Sequence, residues 1–327
     1  IAVVGCGHGE LDAIYAEIQR RETTIGCRVD LLIICGDFQA VRNFGDLACM
    51  ACPVRYRRLG DFHRYYSGEK KAPVLTLFIG GNHEASNHLQ ELYYGGWVCP
   101  NIYYLGAAGV VRYGGLRIGG ISGIFNPRDY KKGRFERPPY NRSDERSIYH
   151  LRGYDVERLA LIREGIHVMA SHDWPCNIEK YGNVERLIAQ KRHLASDIYS
   201  GRLGAPAHMY LLQRLQPCYW FSAHLHAYFT ATFTHPTASA ASMGEHSSTT
   251  FVEIDDDAAA SSPASLSYDP EWLAILRATR TYMSLEDWQP TLPHADAIYR
   301  CVCMHATVQW DIEVLMRAMH HVQGHRS

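Results

Sequence analysis

A layered α/β domain is predicted by three features of this 327-residue chain. Short apolar, β-branched runs recur along it, and each ends in polar or turn-forming residues. Stretches with the 3-and-4 spacing of a helical face lie between several of them. With 46% hydrophobic and 20% charged residues, the chain has enough apolar surface for one large domain with or without an appendage.

The elements follow in order. "IAVVGCGHG" opens as a strand and ends in Cys6, Gly7 and His8, which carries the expectation that an initiating methionine has been removed. "GELDAIYAEIQRRET" places Leu11, Ile14, Tyr15 and Ile18 on one helical face. "VDLLIICGDF" and "APVLTLFIGGNHE" are strands ending in Gly36-Asp37 and in Gly81-Asn82-His83-Glu84. "LRIGGISGIF", "IHVMASHDWP" and "PCYWFSAHLH" supply three more, the last two ending in Ser171-His172-Asp173 and His224-Leu225-His226. Ligands of such sheets collect beyond the carboxyl ends of the strands, and it is there that these His, Asp, Asn and Cys residues gather.

Three segments break the rhythm. Residues 126–152 hold eight Lys/Arg against four Asp/Glu, a local charge of +4, among aromatics and prolines; a structureless run this long is expected to be functional or disordered. Residues 235–265 are largely Ala, Ser and Thr apart from a strand-like "TFVEI" and read as surface loops. From "LSYDPEWLAILRATR" onward the pattern is helical and reads as a C-terminal appendage packed on the core.

A net charge of −1 excludes a generally basic nucleic-acid coat, so a polyanion would have to be met locally. Ten cysteines without a paired framework, several inside apolar runs, predict reduced thiols and an intracellular protein. No apolar run approaches the roughly 18 residues of a membrane span, and no signal-peptide pattern is visible. Cys49-Met-Ala-Cys52 lacks the second pair of a structural zinc site, and Cys301-x-Cys303 has the wrong spacing. His294, His305, His320, His321 and His325 follow no metal-ligand pattern.

The five clusters at the strand ends offer one thiolate, two carboxylates, one carboxamide and up to five imidazoles. This mixture of N, O and S donors suits two transition-metal ions better than one. In His224-x-His226 a period of two would point both rings the same way, so that each binds a different ion, while an aspartate such as Asp37 can bridge. Two cations about 3.5 to 4 Å apart polarise a phosphate and activate water for in-line attack.

The order Cys6-x-His8, Gly36-Asp37, Gly81-Asn82-His83-Glu84, a single His172 and His224-x-His226 resembles the calcineurin-like metallophosphoesterase signature. Within that superfamily, "GCGHGELDAIY", "ICGDFQAVRNFGDLACM", "FIGGNHEASNHLQELYYGGWVCPNIYYLG", "SHDWP" and "YWFSAHLH" resemble the RNA lariat debranching enzyme family over roughly residues 1–230. "SYDPEWLAILRAT" resembles that family's C-terminal region.

The resemblance implies an α/β fold, a metallophosphoesterase β-sandwich flanked by helices. It would comprise a catalytic domain over 1–234, an inserted recognition loop over 126–152, and a C-terminal region over 235–327. It implies hydrolysis of the 2′-5′ phosphodiester at the branch point of excised intron lariats. One ion would be held by Cys6, His8, Asp37 and His226, and the second by Asp37, Asn82, His172 and His224. His83 would stay unbound and protonate the departing 2′-oxygen, with Glu84 or a backbone carbonyl orienting its ring. Cys6 stands where most of the superfamily has aspartate; its softer thiolate favours Fe²⁺ and Zn²⁺, with Mn²⁺ able to substitute.

Branch specificity has to come from outside the metal shell. In the basic segment Lys131, Lys132 and Arg134 can pair with phosphates, while Tyr130, Phe135, Tyr140 and Tyr149 offer faces to splayed bases. Ser86 and Asn87 are placed to touch the branch nucleotide, Glu84 is counted with them, and residues 55–71, with six Lys/Arg against two acids, extend the surface. The implied partner is branched RNA, with no membrane, a monomeric state, and a nuclear location with shuttling to the cytoplasm. A general phosphoesterase or nuclease would share every ligand, and a degenerate binding scaffold would keep the fold without turnover.

Overall fold

The computed structural model describes residues 1–235 and 264–298. Its strands are β1 (Ala2–Val4), β2 (Leu31–Ile34), β3 (Leu75–Phe78), β4 (Gly96–Cys99), β5 (Ile102–Tyr104), β6 (Ala108–Tyr113), β7 (Leu116–Ile121), β8 (Val168–Ser171), β9 (Tyr219–Ser222) and β10 (Leu266–Tyr268). Its helices are α1 (Leu11–Ile25), α2 (Phe62–Tyr66), α3 (Ser86–Glu91), α4 (Asp144–Ser147), α5 (Gly153–Ala160), α6 (Val184–Gln190), α7 (Ala195–Tyr199), α8 (Pro206–Leu215) and α9 (Pro270–Thr279).

The strands form two five-stranded sheets, ordered β1-β2-β3-β5-β4 and β10-β6-β7-β8-β9. In the first, β1, β2, β3 and β5 are parallel, and in the second β7, β8 and β9 are parallel. Parallel pairing aligns the carboxyl ends of consecutive strands, which is why the polar strand tips meet.

Burial on both faces explains why β2 reads as an unbroken apolar run. Leu31 and Ile33 point into a layer shared with Leu77, Val111, Ile118 and Val168 between the sheets. Leu32 and Ile34 point the other way, against Leu11, Tyr15 and Ile18 of α1. That helix ends at Gly26, whose left-handed backbone (φ 76°) lets its N–H reach the Glu22 carbonyl at 2.8 Å. The outer face of the second sheet is covered by Val156 and Leu159 of α5, Leu211 of α8, and Trp272 and Ile275 of α9.

The six strands predicted at the polar tips are all present, but β4, β5, β6 and β10 were not predicted. The helical reading from Leu266 onward is corrected at its start, because Leu266–Tyr268 pair antiparallel with Val111–Tyr113 and extend the second sheet. Pro270 then begins α9, capped by the Asp269 carboxylate accepting from the Trp272 N–H at 2.9 Å. "TFVEI", Cys301, Cys303 and the histidines from 305 onward lie outside the described residues. Cys49 and Cys52 are free thiols, as are the six other cysteines among the described residues.

The reading of 126–152 as a structureless run is also corrected. The segment contains α4, and Asp129, Glu136, Ser147, His150 and Arg152 within it are buried. Three of its eight cations are committed to ion pairs, Arg152 with Glu136, Arg134 with Asp155 and Lys132 with Asp129 and Asp287. Residues 284–289 pack on it, the Arg134 N–H donating to the Ser284 carbonyl at 2.9 Å and Arg137 to the Leu285 carbonyl at 3.3 Å.

Candidate metal centre

The loop after β1 is stitched to the loop after β2 by three backbone bonds: Gly7 N–H to Gly36 O, His8 N–H to Asp37 O and Gly9 N–H to Phe38 O. These bonds fix His8 beside Asp37. The end of β8 is joined to the end of β9 through Ala223 N–H donating to His172 O at 3.0 Å, which delivers His224 and His226 to the same place. Gly123 N–H to Gly80 O at 2.9 Å ties the β7 end to the β3 end and closes the rim between the sheets.

On this rim Cys6, His8, Asp37 and His226 have donor atoms that all lie within 4.8 Å of one another. His8 Nε2 is 3.0 Å from His226 Nε2 and 4.0 Å from Asp37 Oδ2. The other Asp37 oxygen faces a second group: His172 Nε2 lies 3.3 Å from Oδ1 and 3.1 Å from Asn82 Oδ1. The His224 ring centroid is 5.0 Å from that of His172. Asp37 therefore stands between two donor sets, as a bridging ligand would. A thiol, imidazoles, a carboxamide and a shared carboxylate are chemically fit to hold two transition-metal ions.

Both groups are prepared by their surroundings. His172 Nδ1 is held by the Cys35 carbonyl at 2.9 Å, leaving Nε2 to face Asp37 and Asn82. Burial, only partly opposed by Asp37, holds the His8, His172 and His224 imidazoles below their ordinary range, so they are neutral donors near pH 7. Burial, reinforced by the Asp37 charge, pushes the Cys6 thiol up to about 12, so without a cation it keeps its proton.

The expected period-two geometry of His224-x-His226 is corrected. Both residues have left-handed backbone (φ 61° and 48°), as do His8 (47°) and Asp37 (44°). It is this uncommon conformation, concentrated at ligand positions, that sends His226 toward His8 and His224 toward His172.

His83 donates its backbone N–H to Asp37 Oδ1 at 2.8 Å, and its ring lies 6.1 Å from that of His8, outside the four-residue cluster. Glu84 is corrected as a substrate contact and as the group orienting that ring. Fully buried, it accepts from Phe38 N–H (2.8 Å), Gly81 N–H (3.0 Å) and Gln39 N–H (2.8 Å), clamping the two ligand loops together. Burial and the nearby Asp37 charge push its carboxyl up to about 8 against those three donors.

Of the other proposed contacts, Ser86 is only 4% exposed, and Asn87 donates to Asp46 at 2.6 Å. Tyr130 packs among the core side chains of the second sheet, with the Gly153 backbone against its ring. Arg134 is committed to Asp155 at 2.7 Å, and Lys132 to Asp129 and Asp287 at 3.1 and 3.3 Å. Tyr140 donates to Gln90 Oε1 at 2.6 Å. Lys131 is exposed with no ion pair among the described residues, as are Arg128, Arg142 and Arg146. Asp173 turns away to accept from Trp174 N–H and Phe125 N–H.

Gly36 and Gly81, named among the strand-end clusters without a role of their own, are required by close packing at the site. A Cβ at Gly36 (φ 107°) would sit 2.2 Å from His172 Nδ1, and one at Gly81 would sit 2.2 Å from Asp37 Oδ1. The Gly80-Gly81 pair before Asn82 was the legible signal, since a glycine beside ligands marks close backbone approach.

Residues 1–228 match the calcineurin-like phosphoesterase family, and residues 245–319 match the C-terminal domain of lariat debranching enzymes. The chain belongs to the lariat debranching branch of the calcineurin-like phosphoesterases. It is 49% identical to the lariat debranching enzyme of Mus musculus over 98% of this chain and 60% of the relative. The Homo sapiens enzyme is 49% identical over 98% and 61%, and the Arabidopsis thaliana enzyme 48% identical over 85% and 68%. The chain thus spans about three fifths of the length of the two mammalian relatives. Calcineurin-like phosphoesterases use a dinuclear metal site, and Cys6, His8, Asp37 and His226 form a group able to hold a metal ion.

Proposed function

We propose that the protein hydrolyses the 2′-5′ phosphodiester at the branch point of lariat RNA, opening the loop into one linear RNA that carries a free 2′-hydroxyl at the former branch residue and a phosphate at its 5′ end. The observation that carries this reading is Asp37, flanked by a Cys6/His8/His226 set and an Asn82/His172/His224 set, with the His83 ring beside them outside the cluster. The names of the relatives supply the substrate class.

Cys6, His8, Asp37 and His226 would hold one divalent ion, and Asp37, Asn82, His172 and His224 the other. The thiolate of Cys6 favours Fe²⁺ and Zn²⁺, with Mn²⁺ able to replace them. When bound, such ions supply Lewis acidity toward phosphate oxygens and lower the pKa of water. His83, positioned through its own N–H on Asp37, holds the proton that passes to the departing 2′-oxygen. Burial of Asp37 and His172 keeps water from competing for their donor atoms.

Lys131, Arg128, Arg142 and Arg146 are the exposed cations of the basic segment that remain for RNA phosphates. In this reading residues 1–234 are the catalytic unit, residues 235–327 a C-terminal region of which 264–298 are described and pack on it, and the protein a monomer working on nuclear intron lariats. No helix among the described residues is long and apolar enough to cross a membrane.

A synthetic branched RNA assayed beside its linear 3′-5′ counterpart tests the proposal. Cleavage confined to the 2′-5′ branch is expected; equal cleavage of both identifies a general nuclease, and no turnover with Fe²⁺, Zn²⁺ or Mn²⁺ identifies a scaffold. His83→Ala is expected to abolish turnover while metal content stays at the wild-type value, and loss of metal would make His83 a ligand instead.

A further inference from the structure

Between β2 and β3 the chain makes an excursion, residues 39–61, that folds around a small core of its own. Val41, Leu47, Met50, Cys52 and Leu59 pack there with Ala85, which follows the buried clamp Glu84. Its far end is fastened to the metal loop: Asp61 N–H donates to the Gly9 carbonyl at 2.8 Å, and Arg58 pairs with Glu10 at 3.1 Å. A Cβ at Gly60 would lie 2.7 Å from Gly9 O, so the two backbones touch one residue beyond His8. Arg57 reaches the Cys52 carbonyl and pairs with Glu145 at 3.5 Å, which links the excursion to the basic segment on its other side.

With its packing needs met inside, the excursion still presents large apolar side chains to water. Phe44 and Val54 are each 77% exposed and Tyr56 is 57% exposed, and the short 3-10 helix Val54–Tyr56 buries no residue. The Arg55 guanidinium lies 4.8 Å over the Tyr56 ring and has no ion pair among the described residues. Much of the rest of the basic 55–71 stretch is committed to the fold. Phe62 and Tyr65 are buried, Arg64 pairs with Asp12 and Glu69, and Lys70 pairs with Asp12.

We propose that Val54, Arg55, Tyr56 and Arg58 form a ledge that receives single-stranded RNA as it leaves the metal centre, with Tyr56 stacking a base and the two arginines meeting phosphates. An exposed aromatic ring beside exposed cations is what unpaired nucleic acid recognises, because every base has a π-face and every linkage a charge, and the Tyr56 face not covered by Arg55 is the one left to a base. The Arg58–Glu10 pair is exposed on both sides, and such pairs are weak enough for a phosphate to replace the carboxylate. The ledge extends the debranching reading and rests on it for the route of the strand, not for its affinity.

Fluorescence anisotropy of a labelled single-stranded RNA, with wild-type protein and with Tyr56→Ala and Arg55→Ala/Arg58→Ala, tests the ledge apart from catalysis. Tyr56→Ala is expected to weaken binding roughly tenfold, the scale of one lost stack. The arginine pair is expected to flatten the salt dependence by about one to two units of slope. With branched RNA, KM should rise while kcat changes little, and thermal melts identify any variant that fails to fold. Unchanged RNA affinity in folded variants, or a surface that captures a protein and leaves RNA binding unaltered, overturns the ledge. Wild-type protein that binds RNA through these residues but cuts no branch would sink the debranching reading and leave the ledge standing.

Discussion

Asp37 Oδ1 lies 3.3 Å from His172 Nε2, a contact between the tip of one sheet and the tip of the other. The His83 N–H donates to the same oxygen, while Asp37 Oδ2 faces His8. One carboxylate thus organises both donor sets and the residue assigned the proton.

Gly81 is the tightest constraint on that carboxylate, since an added methyl would meet Asp37 Oδ1 at 2.2 Å and His172 Cε1 at 2.7 Å. Gly81→Ala is expected to cost about 1–3 kcal/mol through overpacking and to lower the bound metal per protein. Thermal melts and elemental analysis read the two effects, and a variant with full metal content would show that the ligands tolerate the displacement.

Glu84 is expected to act on structure and not on substrate. In Glu84→Gln one amide group replaces an oxygen that accepts from the backbone, leaving a buried N–H unsatisfied at a cost of about 1–3 kcal/mol. Denaturant unfolding should show this loss. A rise in KM for branched RNA with unchanged stability would return Glu84 to the substrate surface.

Metal uptake should release protons in a way set by Cys6. The thiol, pushed up to about 12, is protonated at pH 7 and must bind as thiolate, whereas the buried imidazoles are already neutral. Loading Zn²⁺ at pH 7 is therefore expected to release about one proton, with affinity rising as pH rises. Calorimetry in buffers of different ionisation heat counts that proton, and Cys6→Ser should remove it. Equal release by the variant would place the thiol outside the shell.

The C-terminal helix α9 is bound to the catalytic core through an aromatic enclosure. The buried Arg158 guanidinium lies 5.4, 5.9, 4.7 and 5.5 Å from the rings of Tyr93, Tyr94, Tyr154 and Trp272. Trp272→Ala is expected to destabilise the protein by about 3–5 kcal/mol. It should also loosen residues 284–289, which hold the basic segment, and so raise KM for branched RNA. An unchanged melting temperature would contradict the enclosure.

Much of the centre was legible because its ligands sit directly behind apolar runs, so the strand pattern located them without tertiary information. Parallel pairing, itself implied by the helical spacing between runs, did the rest for Cys6, Asp37, Asn82, His172 and His226. What the pattern could not supply was local conformation. The left-handed backbone at His224 and His226 leaves no periodic trace, and the role of Glu84 depends on three N–H groups from two loops. The cations of the basic segment misled for a related reason: charge counts show how many there are, not that Arg134 and Arg152 spend theirs on buried acids. Strand β10 escaped because its partner β6 lies far away in sequence and three residues carry no period.

The proposed chemistry requires a pair of cations bridged by Asp37 beside an unbound imidazole. Anomalous diffraction at the metal edges of crystals loaded with Zn²⁺ or Mn²⁺ tests it most directly. Two peaks are predicted, one among Cys6, His8, Asp37 and His226 and one among Asp37, Asn82, His172 and His224, with the His83 ring bonded to neither. A single peak, or one coordinated by His83, would contradict the account.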